Sequence, residues 1–436
     1  MKKSNPFYIL LLLFVALALV LGACGGGTEA PEEPEVEEPE EPAGEPVEIT
    51  AWTFTYQPFV DGLNAMADDF NAMQDEVKVN VEVFEWANYW DKIAVAVATD
   101  TGPDVFHSYT AFTPKYIAEG VLQPVPEGEF DWDAMAPMVG QFRVAGKLWA
   151  VPMGVRTFGY VYNPDIFEAG GQVPPTTWDE EIAVAEALTE FDNEGNMTVA
   201  GEGIYPKWEQ YTLWQGRCHQ AGGSYISNDL REMTWDDPAC IEAFIFQTSK
   251  MTEYEIFVDG FYNDWATAQA EGVMAGFFAP SGVLGAFADM ETPWAVAPLA
   301  YGSDNNDSIG NFWPMVITQQ AKGEKFDAAV KFLQYVSSPE ANRTWARITF
   351  DVPALLDVAA EDEFINSDYG GFVEALPNAV FIFDPAASEV RIGYDQAWDK
   401  VVLEGADPEA ALLEGEPNAQ QILDDFWAKL DALNLE

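Results

Sequence analysis

The chain is 436 residues long, 48% hydrophobic and 14% aromatic. At roughly 100–200 residues per domain, that is two or three domains with real cores, so a globally disordered chain is excluded. Its 20 lysines and arginines face 73 aspartates and glutamates, a net charge of −53, which excludes nucleic-acid or anionic-lipid binding through a broad basic surface. Only two histidines, His107 and His219, and three cysteines are present. A conventional zinc site, or catalysis built on several histidines, has too few ligands and bases to work with.

Residues 1–23 read as an export signal. Lys2 and Lys3 precede an apolar run from Phe7 to Leu21, shorter than the ~20 residues that span a bilayer comfortably. Leu21-Gly22-Ala23-Cys24 resembles the lipobox of bacterial lipoproteins, which implies cleavage before Cys24 and its lipidation, with the body held outside the cytoplasm. An uncleaved anchor is the alternative, and it places the body on the same side. Residues 24–46 form a linker in which Glu and Pro repeat after three glycines. Like charges repel and proline favours extension, so this is a solvated spacer. Setting aside its nine glutamates and Lys2 and Lys3 leaves 64 acids against 18 bases, about −46 for the body.

The body reads as α/β. Ile49 to Thr53 is a strand, and Leu63, Met66, Ala67, Phe70 and Met73 follow at helical spacing. Val79, Val81 and Val83 alternate as a strand; Trp90, Ile93, Ala94 and Val97 return to helical spacing. Gly102-Pro103-Asp104 turns into Val105-Phe106, with Asp104 holding the turn. This order predicts a mostly parallel sheet covered by helices. Leu148 to Pro152 and Phe158 to Tyr162 are extended. Thr177-Trp178-Asp179-Glu180 is a capping box opening a helix. Phe326 to Val336 is helical, Ser338-Pro339 starts the next helix, and Ile422, Phe426, Leu430 and Leu433 mark the last. Cys218 and Cys240 are a candidate disulfide in an exported protein, or two small buried apolar residues.

Catalytic and cofactor motifs are missing. The sequence contains no P-loop, no G-x-G-x-x-G after a strand, no H-E-x-x-H and no G-x-S-x-G, so no cofactor, metal or catalytic residue is assigned. What is abundant is aromatic surface at strand ends: Trp52 to Tyr56, Phe84-Glu85-Trp86, Ser108-Tyr109 and Asn311-Phe312-Trp313. Ligands of open α/β sheets bind beyond the carboxyl ends of strands. Flat C–H faces of sugars pack on aromatic rings, and a cation is also drawn to them.

Several ordered blocks resemble one family. They are Glu48 to Trp52; Tyr89-Trp90-Asp91-Lys92-Ile93; Gly102 to Phe106; Tyr116 to Val125; Gly146 to Pro152 followed by Tyr160 to Asn163; Phe167 to Gly170; Pro174 to Glu180; and Lys325 to Glu340. From about Val47 to Pro353 the chain is similar to the family 1 extracellular solute-binding proteins of bacterial ABC importers, the class that contains the maltose-binding protein. The last ~80 residues match only in being helical.

The resemblance implies a type II periplasmic-binding-protein-like fold: two discontinuous α/β lobes joined by hinge strands. Lobe 1 would take 47–155 and 313–352, and lobe 2 would take 156–312 and 353–436. The chain would cross near Gly154–Arg156, Asn311–Met315 and Asp351–Pro353. It nominates Phe54, Tyr56, Glu85, Trp86, Ser108, Tyr109, Arg156, Trp214 and Trp313 as ligand contacts. Where the family commonly carries an aromatic after Gly-Pro, this chain has Ala279-Pro280-Ser281; Ser281 stands there, and Phe278 or Trp313 is left to supply the ring. The implied function is capture of a sugar and delivery to ABC permease subunits, by a monomer tethered to the membrane through Cys24, with no bond in the ligand changed. Alternatives are the same fold holding a polyamine or quaternary amine, a secreted carbohydrate-active enzyme, and an adhesive or sensory lipoprotein.

Overall fold

The computed structural model describes residues 45–204, 207–258, 260–262, 264–287 and 290–434. The export signal, Cys24 and nearly all of the linker lie outside the described residues. Val47–Phe54 (β1) and Val77–Phe84 (β2) pair in parallel through eight residues, from Val47 opposite Val77 to Phe54 opposite Phe84. Between them Gln57–Met73 (α1) buries Phe59, Leu63, Met66, Ala67 and Phe70, the one-faced spacing of an amphipathic helix. Met73, expected on that face, is 62% exposed because the helix ends there. Trp86–Ala98 (α2) leads to Val105–His107 (β3), which pairs in parallel with the other side of β1. Asp104 holds the turn before it: its carboxylate accepts from the Thr50 N–H at 2.9 Å and from Lys325 Nζ at 3.1 Å.

The two extended stretches around residue 155 are one strand, Ala150–Tyr162 (β4). It is followed by the helices Trp178–Leu188 (α3), Lys207–Gln220 (α4) and Pro238–Thr252 (α5). Then come the strands Gly276–Pro280 (β5), Ala295–Pro298 (β6) and the 11-residue Ser308–Thr318 (β7). Glu324–Val336 (α6) and Pro339–Thr349 (α7) follow, with Ser338 capping α7 by accepting from the Ala341 N–H. Ala379–Phe381 (β8), Ala387–Glu404 (α8) and Pro408–Ala432 (α9) close the chain. The main strand order is β5–β4–β7–β3–β1–β2.

The sheet is mixed rather than mostly parallel. β1 is parallel to β2 and β3, and β7 to β8, but β7 runs antiparallel to β3 and β4, and β4 antiparallel to β5 and β6. A chain that leaves one half of the molecule along β4 and returns along β7 has to run backwards beside itself. Local strand–helix alternation does not reveal that return.

The two long strands change partners along their length. Ala150 to Pro152 pair with Val316 to Pro314, whereas Phe158 to Tyr162 pair with β5. Between these halves the register slips: Val155 faces Phe312 and Pro152 faces Pro314, so Met153 and Gly154 together oppose Trp313. A third segment joins here, for Val155 and Val352 exchange backbone hydrogen bonds at 2.8 Å in both directions.

Behind the β5 side, Cys218 of α4 and Cys240 of α5 form a disulfide. Beside it lies a buried charge cluster. Arg217 donates to Glu181 at 2.7 Å, and Lys250 bonds both Glu181 and Glu202.

Candidate functional site

The β-bulge at Trp313 re-aims a side chain out of the ladder, as bulges do, and this one opens onto a cavity of about 490 Å³. One wall comes from β1 and the helices that follow β1 and β2: Phe54, Tyr56, Phe59 and Trp86. The opposite wall is Trp265 and the turn Pro280 to Ala286. Arg156 of β4 and Trp313 of β7 form the floor, and Glu209 of α4 projects into it. A second cavity of about 240 Å³ shares Trp86, Arg156, Glu209, Pro280 and Trp313 and adds Tyr109, Trp208 and Asn311. The two are adjoining parts of one cleft.

Its floor is rigid. Tyr109 stacks on Trp313 with ring centroids 4.3 Å apart and planes 21° from parallel. Phe54 and Phe59 meet Trp313 at 5.5 and 5.2 Å. His107 sits below, fully buried, with Nδ1 3.1 Å from the Thr53 hydroxyl. Burial first, and then the Arg156 charge, hold its imidazole well below the usual histidine range, so it is neutral. Arg156 donates from Nε to Asp351 Oδ1 at 2.6 Å, and Trp345 Nε1 donates to Asp351 Oδ2 at 3.0 Å. The guanidinium carbon lies 5.2 Å from the Phe59 ring centre and 5.5 Å from that of Trp313, within cation–π range. The far wall comes down close: a Cβ on Gly282 would lie 2.2 Å from the guanidinium carbon.

Polar atoms with nothing to bind converge on the cleft. Glu209 Oε2, Asn311 Oδ1 and Trp313 Nε1 are buried without a hydrogen-bond partner among the described residues. Burial pushes the Glu209 carboxyl up to about 7, while its own backbone N–H and the Arg391 and Arg156 charges pull weakly the other way. Burial also pushes the Tyr109 hydroxyl up to about 12. Buried polar groups are normally satisfied. Three orphans around one cavity describe a surface built to receive hydrogen bonds and to give one.

Of the residues nominated from sequence, Phe54, Tyr56, Trp86, Arg156 and Trp313 line the larger cavity and Tyr109 the smaller. Ser281 lies between Pro280 and Gly282, fully buried, its hydroxyl also unpartnered. Glu85 occupies the exposed N-cap of α2 and accepts from the Thr55 hydroxyl at 3.3 Å. Three others lie away from the cleft. Ser108 is buried against the Thr113 hydroxyl at 2.8 Å, because the turn after β3 folds back on itself. Trp214, on the face of α4 toward α5, is fully buried and donates to the Cys240 carbonyl at 2.8 Å. Phe278 lies two residues inside the end of β5, packed on Tyr160 and under Arg217 and Lys250. Sequence reasoning missed Phe59, Trp208, Glu209 and Trp265. It quoted Asn311 only in a strand-end group and as a crossing position, and Asp351 only as a crossing position. Nothing marks Glu209 among 73 acids.

An α/β molecule whose halves share crossing strands, with a polar-tipped aromatic cleft at the crossing, has the architecture of the type II periplasmic binding proteins. A family model of bacterial extracellular solute-binding proteins matches residues 65–372, and the chain belongs to that family, whose members work outside the cytoplasm. It is 26% identical over 364 residues to the maltotriose-binding protein of Pyrococcus abyssi, covering 80% of this chain and 76% of that protein. It is 29% identical over 212 residues to the diacetylchitobiose binding protein of Streptomyces coelicolor, covering 48% and 47%. Among solved structures, the cyclic alpha-maltosyl-1,6-maltose binding protein of Arthrobacter globiformis superposes with a TM-score of 0.76 at 22% identity, covering 87% of this chain and 100% of that one.

Proposed function

We propose that this protein captures a carbohydrate in the Trp86–Trp313 cleft and delivers it to the permease of an ABC importer. The observation that carries this reading is the cleft itself: aromatic walls with unpartnered acceptors at Glu209 and Asn311 and a donor at Trp313 Nε1. Sugars present flat C–H faces and a rim of hydroxyls, which need such a lining, and few polar groups suffice to orient a ligand in a mostly apolar pocket. The relatives support it, since the proteins matched bind maltotriose and diacetylchitobiose. A cavity of about 490 Å³ with its 240 Å³ extension has room for a short oligosaccharide.

The two lobes, 47–155 with 313–352 and 156–312 with 353–436, would turn about the segments that meet at Val155, Phe312 and Val352. A ligand touching both walls favours the closed form by its extra contacts there. No bond in the ligand is broken, and the protein acts as a monomer held near the permease by lipid on Cys24.

The test is thermal unfolding of the purified protein against maltotriose, diacetylchitobiose, other neutral saccharides, amines and amino acids. A ligand that binds only the folded form raises the melting point by mass action. A shift with a saccharide is the expected result; shifts confined to non-saccharides would overturn the reading.

A further inference from the structure

The charges around the cleft do not balance, and the imbalance has one location. Three cations stand nearby, and each has its own carboxylate. Arg156 pairs with Asp351 at 2.6 Å, Arg391 pairs through Nη1 with Asp395 at 2.9 Å while lying over the Trp208 ring, its Nε buried without a partner among the described residues, and Lys207 pairs with Asp399. Glu209 is in none of these pairs, and its Oε2 is buried without a hydrogen bond among the described residues. Behind Tyr109 lies another buried acid, Asp384, which takes a hydrogen bond from Tyr211 at 2.8 Å and has no ion-pair partner among the described residues. Arg156, whose charge would repel a cationic ligand, is therefore paired within the protein, and the carboxylate in the cleft without an ion pair is that of Glu209.

We propose that the cleft selects a saccharide that carries a protonated amine, the ammonium seating against Glu209 while the sugar ring lies on the Trp86–Trp313 wall. This rests on the carbohydrate reading above and narrows it. An unpaired carboxylate in a water-poor site is costly, and a ligand cation removes that cost where a neutral ligand only shares it. Trp86 and Trp313 share both cavities with Glu209, Trp265 the larger and Trp208 the smaller, and indole faces add to the attraction of a cation. The body's excess of acids attracts a cationic sugar from a distance and repels an anionic one. Burial holds the Glu209 carboxyl up to about 7. An arriving ammonium restores the carboxylate, so loading near neutral pH releases a proton.

The experiment compares matched pairs that differ only in amine for hydroxyl, at one position in glucosamine with glucose and galactosamine with galactose, and at two in β-1,4-linked diglucosamine with cellobiose. Affinities are read by calorimetry at pH 7 in two buffers of different ionisation enthalpy. The amine of at least one pair is expected to bind tenfold or more tightly than its neutral partner, with proton release. Glu209→Gln removes both the preference and the proton, and Glu209→Asp retains part of the preference. The wild-type ratio decides the matter even if a variant folds poorly. Neutral sugars binding as tightly as the amines, or saturable binding of neutral saccharides alone, would overturn the inference and leave the carbohydrate reading standing. Failure of every saccharide, with putrescine bound instead, overturns both.

Discussion

At Trp313 one side chain serves two purposes: it is the packing centre of the first half's aromatic cluster and the floor of the cleft. Trp313→Ala should cost about 3–5 kcal/mol of stability, as large-to-small core changes do, and abolish saccharide-induced stabilisation; both are read by thermal unfolding with and without sugar. Arg156 makes a sharper case. Removing it leaves Asp351 fully buried beside Trp345 with its charge unmatched, at a cost of roughly 3–5 kcal/mol. The double variant Arg156→Met with Asp351→Asn should recover much of that loss in urea unfolding, and an additive double variant would sink the coupling. Glu209 has a pH signature. Its folded value lies above that of an unfolded glutamate, so its contribution to stability is complete below the unfolded range and lost as pH rises through about 7. Glu209→Gln should therefore be more stable than the parent at pH 8, by an amount on the order of 3 kcal/mol, and no more stable at pH 4.5. Arg156 and Trp313 were legible because they sit at the chain crossings that the family resemblance implies. Glu209 was not: its role comes from what fails to pair with it, which is a property of three dimensions.

Helix α4 carries Glu209, and two features fix where that helix lies. The first is the disulfide from Cys218 to Cys240, which closes a loop of 22 residues. Loop-closure arguments give about 3 kcal/mol for a crosslink of that size, so a Cys218→Ala, Cys240→Ala variant should unfold at clearly lower urea than the oxidised parent. The second is Gly216, whose absent side chain lets α4 press on β7: a Cβ there would lie 1.9 Å from Ile309 Cγ1. Gly216→Val should lower the melting point and weaken sugar binding together, because the displaced helix takes Glu209 with it; calorimetry on the same sample checks both. At this scale the periodic elements were readable from local pattern. The Thr177 cap formed, and Glu180 reaches back chiefly to the Thr176 N–H and hydroxyl, one residue further than the capping box requires. Sheet direction was not readable, since β3 and β7 pair across some two hundred residues.

For the molecule as a whole, three buried acids outweigh two histidines in the response to pH, because burial holds His107 and His219 below the usual histidine range and they oppose the acids only below about 6.5. Burial pushes Glu202, Glu209 and Asp384 each up to about 7. Between the unfolded carboxylate range and pH 7 the folded state binds protons that the unfolded chain has released, so stability falls as pH rises through that window. At the acid end the sign reverses. Hydrogen bonds from Arg343 and Arg347 hold Glu361 and Glu363 below the usual carboxylate range, and what they contribute is lost as pH drops through their folded values. The melting point of the ligand-free protein should therefore rise from pH 8 to about 5.5 and turn down in stronger acid. A flat profile between pH 8 and 5.5 would refute the assignment. The α/β class and the order of elements were legible, because periodicity and the family-like blocks run through most of the chain. The balance of charge inside the fold was hidden by composition, where 73 acids look alike.

Because β7 completes the sheet that begins at residue 47, the nascent chain cannot close its first core until some 270 residues later have emerged. The neighbours of β3 are β1, made early, and β7, made late; until the second arrives, one edge of the sheet stays open. Such long-range pairing slows folding, and an open edge invites association with other chains. Until β7 is made, the strands of the first half are therefore the part of the chain that most needs shielding from other chains.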